Sequence, residues 1–189
     1  MPFWKRTCDI VFSILLILLL WPVLLILSLF IKITSKGPII HWSSRIGKGN
    51  RPFKMPKFRS MLSDTPQVAT HLVSDPETYL TPIGSFLRRT SLDELPQLFS
   101  VLFGDLSLVG PRPALFNQAD LISLRTARGI DAIVPGLTGW AQVNGRDDLP
   151  IPVKVQFDFE YLQRRSFLFD IQIICMTVIA VLRSKGVKH

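Results

Sequence analysis

The chain has 189 residues, enough for one domain of ordinary size with an appendage. Hydrophobic residues make up 48% and charged residues 19%, which excludes a pure bundle of membrane helices and fits a soluble-type domain carrying a membrane element. A formal charge of +8 directs attention to anionic partners: phosphorylated substrates, acidic lipid headgroups or nucleic acid.

From Ile10 to Ile31 the chain passes 22 residues without a charge. As a helix this run reaches roughly 33 Å, close to the hydrocarbon thickness of a bilayer. Its apolar core is too long for a cleaved signal peptide, and no small-residue cleavage site follows, so it is expected to stay in the protein. Lys5 and Arg6 precede it, and Lys32, Lys36, Arg45, Lys48 and Arg51 follow, so flanking charge does not decide an orientation. Pro22 lies near the middle. A kink there would turn the segment back to the face it entered from; a plain spanning helix tolerates the proline equally well.

Between Lys32 and Leu92 there are ten Lys or Arg against three acidic residues, and the first acid after the apolar run is Asp64. The stretch "HWSSRIGKGNRPFKMPKFRSM" reads as short strands and turns lying against headgroups. Lys57 and Arg59, flanked by Phe58 and Met61, are candidates for a specific role. "RIGKGN" lacks the glycine spacing of a phosphate loop. Residues 64–82 suit a surface loop with a short helix.

"RRTSLDELPQLFSVL" sets Asp93 beside Glu94, with Arg88 and Arg89 upstream. Ser91 and Glu94 match capping-box spacing, but Pro96 then lies beyond the first turn; Asp93 as N-cap accommodates the proline better. Either way both carboxylates meet a helix N-terminus, which favours the ionised form. Adjacent positions point apart, so the two are expected to divide their work: one faces an electrophile while the other holds a metal ion. Magnesium suits such a site, because it takes one or two carboxylates and completes its shell with water and phosphates.

Downstream, in "GDLSLVGPRPALF", Pro111 and Pro113 fix the backbone on both sides of Arg112, whose guanidinium could grip a phosphate or stack on a base. "VPGLTGWAQVNGRDDL" reads as a strand pair around turns, with Asn144-Gly145 presenting Arg146. The run from Phe167 to Leu182 is short for spanning and reads as an interfacial or partly buried helix. Cys8 and Cys175 lack metal-ligand spacing and imply no disulfide framework, in keeping with a reducing, cytosol-facing location.

Four blocks, "KFRSM" (57–61), "RRTSLDELPQL" (88–98), "GDLSLVGPRP" (104–113) and "PGLTGWAQVNGR" (135–146), followed by Lys154, Asp158 and Tyr161, resemble the bacterial sugar transferase family, the monotopic phosphoglycosyl transferases. The resemblance implies transfer of a sugar-1-phosphate from a UDP-sugar to polyprenyl (undecaprenyl) phosphate, releasing UMP, as the first membrane step of glycoconjugate and polysaccharide assembly. It gives Asp93 the role of nucleophile forming a covalent phosphosugar intermediate, and Glu94, with Asp93, that of binding Mg2+. Lys57, Arg59, Arg88, Pro111, Arg112, Pro113, Arg146 and Asp158 become the expected substrate-binding set, Pro111–Pro113 serving the nucleotide. It also implies a re-entrant membrane helix broken at Pro22.

The expected fold is accordingly a single mixed α+β domain. Residues 1–35 form the membrane-inserted helix and residues 36–189 a catalytic domain with interfacial amphipathic helices, on the cytoplasmic face of the bacterial inner membrane. The implied partners are the UDP-sugar donor, the polyprenyl phosphate acceptor and one membrane leaflet; a homodimer is left open. The chain resembles the small, core-only members. Ser100 replaces an Asn frequent in the family, and "GRDDLPIP" lacks a Trp-containing run, which leaves the donor sugar open. A polyprenyl diphosphate phosphohydrolase and a non-enzymatic module binding anionic lipid are the rival readings. Nucleic-acid binding is poorly supported, because the basic stretch adjoins the apolar segment and carries no reading motif.

Overall fold

The computed structural model describes residues 1–62, 76–145 and 149–182. The apolar run lies within one helix, α1, Phe3–Thr34, which is long and apolar enough to cross a membrane and continues as helix through Pro22, where the resemblance implies a break. Buried positions Lys5, Asp9, Ser13, Leu27 and Ile31, joined by half-buried Leu16, Leu20, Val23 and Leu24, recur every three or four residues. That is helical periodicity, so the residues that α1 turns to the rest of the protein near its two ends share one stripe. The opposite side exposes Leu15, Leu18, Leu19, Leu25, Ile26 and Leu29.

Both ends of α1 are tied to the same body. At the N-terminal end Lys5 Nζ reaches Asp170 Oδ2 at 2.5 Å, Arg6 donates to the Val101 and Leu102 carbonyls (2.7 Å each), and the Leu108 N–H donates to Asp9 Oδ1 (3.0 Å). At the C-terminal end Leu27 and Ile31 pack with Phe58 and Leu87, and Arg59 donates to the carbonyls of Ser35 and Lys36.

The basic stretch folds as an antiparallel hairpin, β1 (Ile40–Ile46) with β2 (Pro52–Phe58), in register His41↔Lys57 and Ser43↔Met55. The period of two sends Phe53, Met55 and Lys57 to one face, where Met55 enters a core with Val101 and Leu106. Of the loop expected at 64–82, residues 64–75 lie outside the described residues, and Pro76–Tyr79 forms a short 3-10 turn.

After α2 (Gly84–Arg89), a 3-10 turn at Leu92–Glu94 leads into α3 (Gln97–Phe103). Neither expected cap is realised. Ser91 is left-handed (φ 57°) and makes no side-chain cap bond, while Asp93 lies inside the 3-10 turn, four residues before α3 begins. Pro96 explains the split: with no N–H to bond back to the 3-10 turn, it ends that turn and occupies the N-cap of α3.

The next block also departs from expectation. "VPGLTGWAQVNG" is not a strand pair: β4 (Gly136–Thr138) pairs in parallel with β3 (Ser107–Val109), and Trp140–Val143 forms a helical turn, α5. Packing overrides local propensity here, because the Trp140 ring stands against Phe157 and Phe169 and its N–H donates to Glu160. Helix α4 (Ala119–Ala127) crosses between the two strands, and α6 (Ile151–Arg164) and α7 (Phe167–Leu182) close the fold. Phe169 and Ile173 of α7 are buried with Val109 and Tyr161, while Leu168, Val178 and Ile179 are exposed, as expected of a partly buried helix. The architecture is mixed α+β, as the sequence predicts.

Candidate active site

Three separate segments bring charge to one place: the end of β2, the 3-10 turn before α3, and the extended segment after β3. Lys57 Nζ donates to Glu94 Oε1 at 2.7 Å and stands 3.9 Å from Asp93 Oδ2. Arg112 Nη2 donates to the same Oε1 at 2.7 Å, and Nη1 lies 3.5 Å from Oε2, at the outer limit of a hydrogen bond. The two carboxylates, expected to point apart, thus converge on one ammonium. Arg88, at the C-terminal end of α2, adds positive potential at Asp93.

The common setting acts differently on the two acids. Burial would raise Glu94, but the Arg112 guanidinium and Lys57 ammonium outweigh it and hold Glu94 well below the usual carboxylate range. Burial pushes Asp93 up, with the Glu94 charge adding to the rise, and Lys57, Arg88 and Arg112 only partly oppose it. One carboxylate is a fixed anion; the other is buried, more basic and, among the described residues, without a close donor, which is the condition of a usable nucleophile.

Among the described residues no group of three His, Cys, Asp or Glu converges on a metal position. The pair alone still fits magnesium. Among the described residues Asp93 has no cation closer than Lys57 at 3.9 Å, and Glu94 Oε2 meets Arg112 Nη1 at 3.5 Å, so each has a hard oxygen to offer.

Of the other expected site residues, Arg59 is 4% exposed and spends its guanidinium on Ser35 and Lys36, holding the end of α1 rather than joining the carboxylates. Asp158 is 1% exposed, and its Oδ2 accepts from Arg125 Nε (2.9 Å) and Nη2 (2.6 Å). Burial raises its carboxyl in spite of that guanidinium. Pro111 and Pro113 flank Arg112 as expected, and Arg146 lies outside the described residues. Arg125 is the residue the sequence does not announce: a single cation on an ordinary helix, 33 positions from its partner. The Lys5–Asp170 pair, which also accepts from the Tyr161 hydroxyl at 2.8 Å, is equally silent in sequence.

The chain matches a family model described as bacterial sugar transferase over residues 1–184. It is 43% identical over 183 residues to the UDP-glucose:undecaprenyl-phosphate glucose-1-phosphate transferase of Escherichia coli (strain K12), covering 92% of this chain and 39% of that protein. It is 38% identical over 185 residues to the uncharacterized sugar transferase EpsL of Bacillus subtilis (strain 168), covering 98% of this chain and 90% of that protein. To the undecaprenyl-phosphate galactose phosphotransferase of Salmonella typhimurium it is 38% identical over 203 residues, covering 97% of this chain and 41% of that protein. The chain thus spans about two fifths of the length of the first and third of these relatives.

Proposed function

The chain belongs to the bacterial sugar transferase family, and from that premise we propose that it transfers a sugar-1-phosphate from a UDP-sugar to undecaprenyl phosphate, with Asp93 as covalent carrier. The observation that carries the reading is the convergence of Lys57 and Arg112 on Glu94 beside the buried carboxyl of Asp93. A carboxylate attacks a phosphoryl group poorly until the phosphate's charge is neutralised, and here two cations, with Arg88 near Asp93, stand ready to do so. Relatives whose names specify glucose and galactose share undecaprenyl phosphate as acceptor, so the acceptor class extends to this chain more firmly than any one sugar.

In the first step an Asp93 carboxylate oxygen bonds to the sugar-bearing β-phosphorus, the bond from that phosphorus to the bridging oxygen breaks, and UMP leaves with the electron pair. In the second, a phosphate oxygen of the lipid attacks the same phosphorus, and Asp93 departs as free carboxylate. Arg112 and Lys57 hold the diphosphate, and Glu94, already charged at any working pH, holds them in turn. Magnesium, bound by Asp93 and Glu94, would neutralise further charge on the phosphates.

The membrane reading belongs to the same proposal. Helix α1 is held in one leaflet with both its ends on the same face, Pro22 being the point at which it would bend in the membrane, and residues 36–189 form the catalytic domain on the cytoplasmic face of the inner membrane. Attachment of both its ends to one body supports this, since a spanning helix separates its ends by the bilayer.

The test is to give the purified protein in lipid nanodiscs a panel of UDP-sugars with magnesium, with and without undecaprenyl phosphate. We expect one sugar phosphate retained per active protein without acceptor, release of UMP, and loss of the label when acceptor is added. A wild-type protein that is never labelled at Asp93 overturns the covalent route; steady UMP release without acceptor assigns hydrolysis instead.

A further inference from the structure

We propose that Arg125 and Asp158 form a positioning pair that sets the Pro111–Arg112–Pro113 segment, and through it the Arg112 guanidinium, against Glu94. The inference rests on the transfer reading above and deepens it by moving Asp158 from the substrate-binding set to a supporting one.

The segment has an unusual problem. Its two prolines have no N–H to give, so it cannot be held by an ordinary ladder. Its four consecutive carbonyls are instead taken by four donors from three elements. The Pro111 carbonyl accepts from Gly136 N (2.9 Å), that of Arg112 from Arg125 Nη1 (2.8 Å), that of Pro113 from Arg45 Nη1 (3.3 Å) and that of Ala114 from Ile46 N (2.9 Å). The donor at position 112 is the one that acts on the residue whose side chain meets Glu94.

Geometry explains why Asp158 is needed. A guanidinium is planar, and Asp158 Oδ2 occupies the edge formed by Nε and Nη2. That fixes the plane and leaves Nη1 directed at the Arg112 carbonyl. Asp158 is 1% exposed on α6, and Arg125 is 8% exposed in the last turn of α4, so Asp158 is closed to solvent and Arg125 nearly so, with its donors turned to Asp158 and the Arg112 carbonyl. Their effect on the reaction runs through the backbone of residue 112.

The experiment compares wild type with Arg125→Lys, Asp158→Asn and the double replacement Arg125→Met/Asp158→Leu, in nanodiscs with magnesium. Single changes leave a buried charge without its partner and can unfold the protein; the double replacement removes both charges together and keeps the folded state in reach. Three quantities are read: the donor KM and kcat from UMP release, the KM for undecaprenyl phosphate, and the moles of covalent phosphosugar per mole of protein at saturating donor.

We expect kcat/KM for the donor to fall roughly 10- to 100-fold, the size of effect that misplacing a substrate-orienting group produces. Acceptor KM and label stoichiometry stay at the wild-type value. In an Arg112→Met background the same changes should add less than about twofold, because the group they position is gone. A label count that drops in step with activity while donor KM is unchanged makes the pair merely a fold support, and overturns the proposal. An undiminished effect in the Arg112→Met background overturns it as well. Wild type that neither binds label nor releases UMP removes the transfer reading itself, and this inference with it.

Discussion

Asp93 and Glu94 are neighbours in sequence and in space, yet among the described residues the donors at 2.7 Å hold Glu94, while Lys57 stands 3.9 Å from Asp93. The consequence can be worked out in sign. Glu94 sits below its ordinary value, so the stability from its ion pairs is complete above the usual carboxylate range and is lost as pH falls through its depressed value. Asp93 sits above its ordinary value, so its ionisation costs stability as pH climbs from the ordinary carboxylate value through the raised one. Asp93→Asn should therefore abolish turnover, keep donor binding, and melt no lower than wild type at neutral pH with magnesium chelated. The gap in melting temperature should close as pH is lowered below about 4, where both forms are neutral at this position. A variant that melts well below wild type at neutral pH would make Asp93 a structural anion instead. Glu94→Gln has the opposite expectation. It leaves Lys57 and Arg112 without their carboxylate, so melting temperature and turnover should fall together, the latter by about a hundredfold or more, measured as UMP release.

The elements differ in how openly the sequence declares them. Helix α1, the β1–β2 hairpin and α7 follow local pattern: an unbroken apolar run, a basic stretch divided by turn residues, and an apolar run with few charges. The β3–β4 pair is invisible to that kind of reading, because its strands are three residues each, parallel, and separated by a helix. The same holds for the site. Asp93, Glu94, Lys57 and Arg112 stand out because carboxylates and cations at rigid or turn positions have few structural uses. The roles of Arg59 and Asp158 depend on partners 24 and 33 residues away, and no local pattern reports them. Gly136 tests the parallel pair directly. A Cβ there would lie 2.1 Å from Gly110 N and 2.4 Å from Thr138 O, so backbone must move to admit it. Gly136→Ala should cost about 1–3 kcal/mol in denaturant titrations, the range for overpacking. It should also weaken donor use, since Gly136 N holds the Pro111 carbonyl. Full stability with full activity would mean that β3 and β4 are not in this register.

At the scale of the whole molecule, the question is whether α1 can carry its two ends to opposite faces of a membrane. At 32 residues it has length to spare. What opposes crossing is the wiring at its N-terminus. Sending that end across would break the buried Lys5–Asp170 pair and strip Asp170 and Tyr161 of their ammonium neighbour. It would also release the α3 carbonyls from Arg6 and the Leu108 N–H from Asp9. Breaking one buried ion pair costs about 3–5 kcal/mol, and each lost bond to a charged group about 1.5–3 kcal/mol, and flanking charge, basic on both sides, offers no return for crossing. Phe3 is 89% exposed and the Lys36 side chain is exposed, so each can be replaced by a cysteine without touching this network. With Cys8 and Cys175 changed to serine, Phe3→Cys and Lys36→Cys should both react with an impermeant maleimide in inside-out vesicles, and neither in right-side-out vesicles. Reaction of position 3 only in right-side-out vesicles would place it across the bilayer from position 36, and the ties between α1 and α3, β3 and α7 could not then exist in the membrane-bound protein.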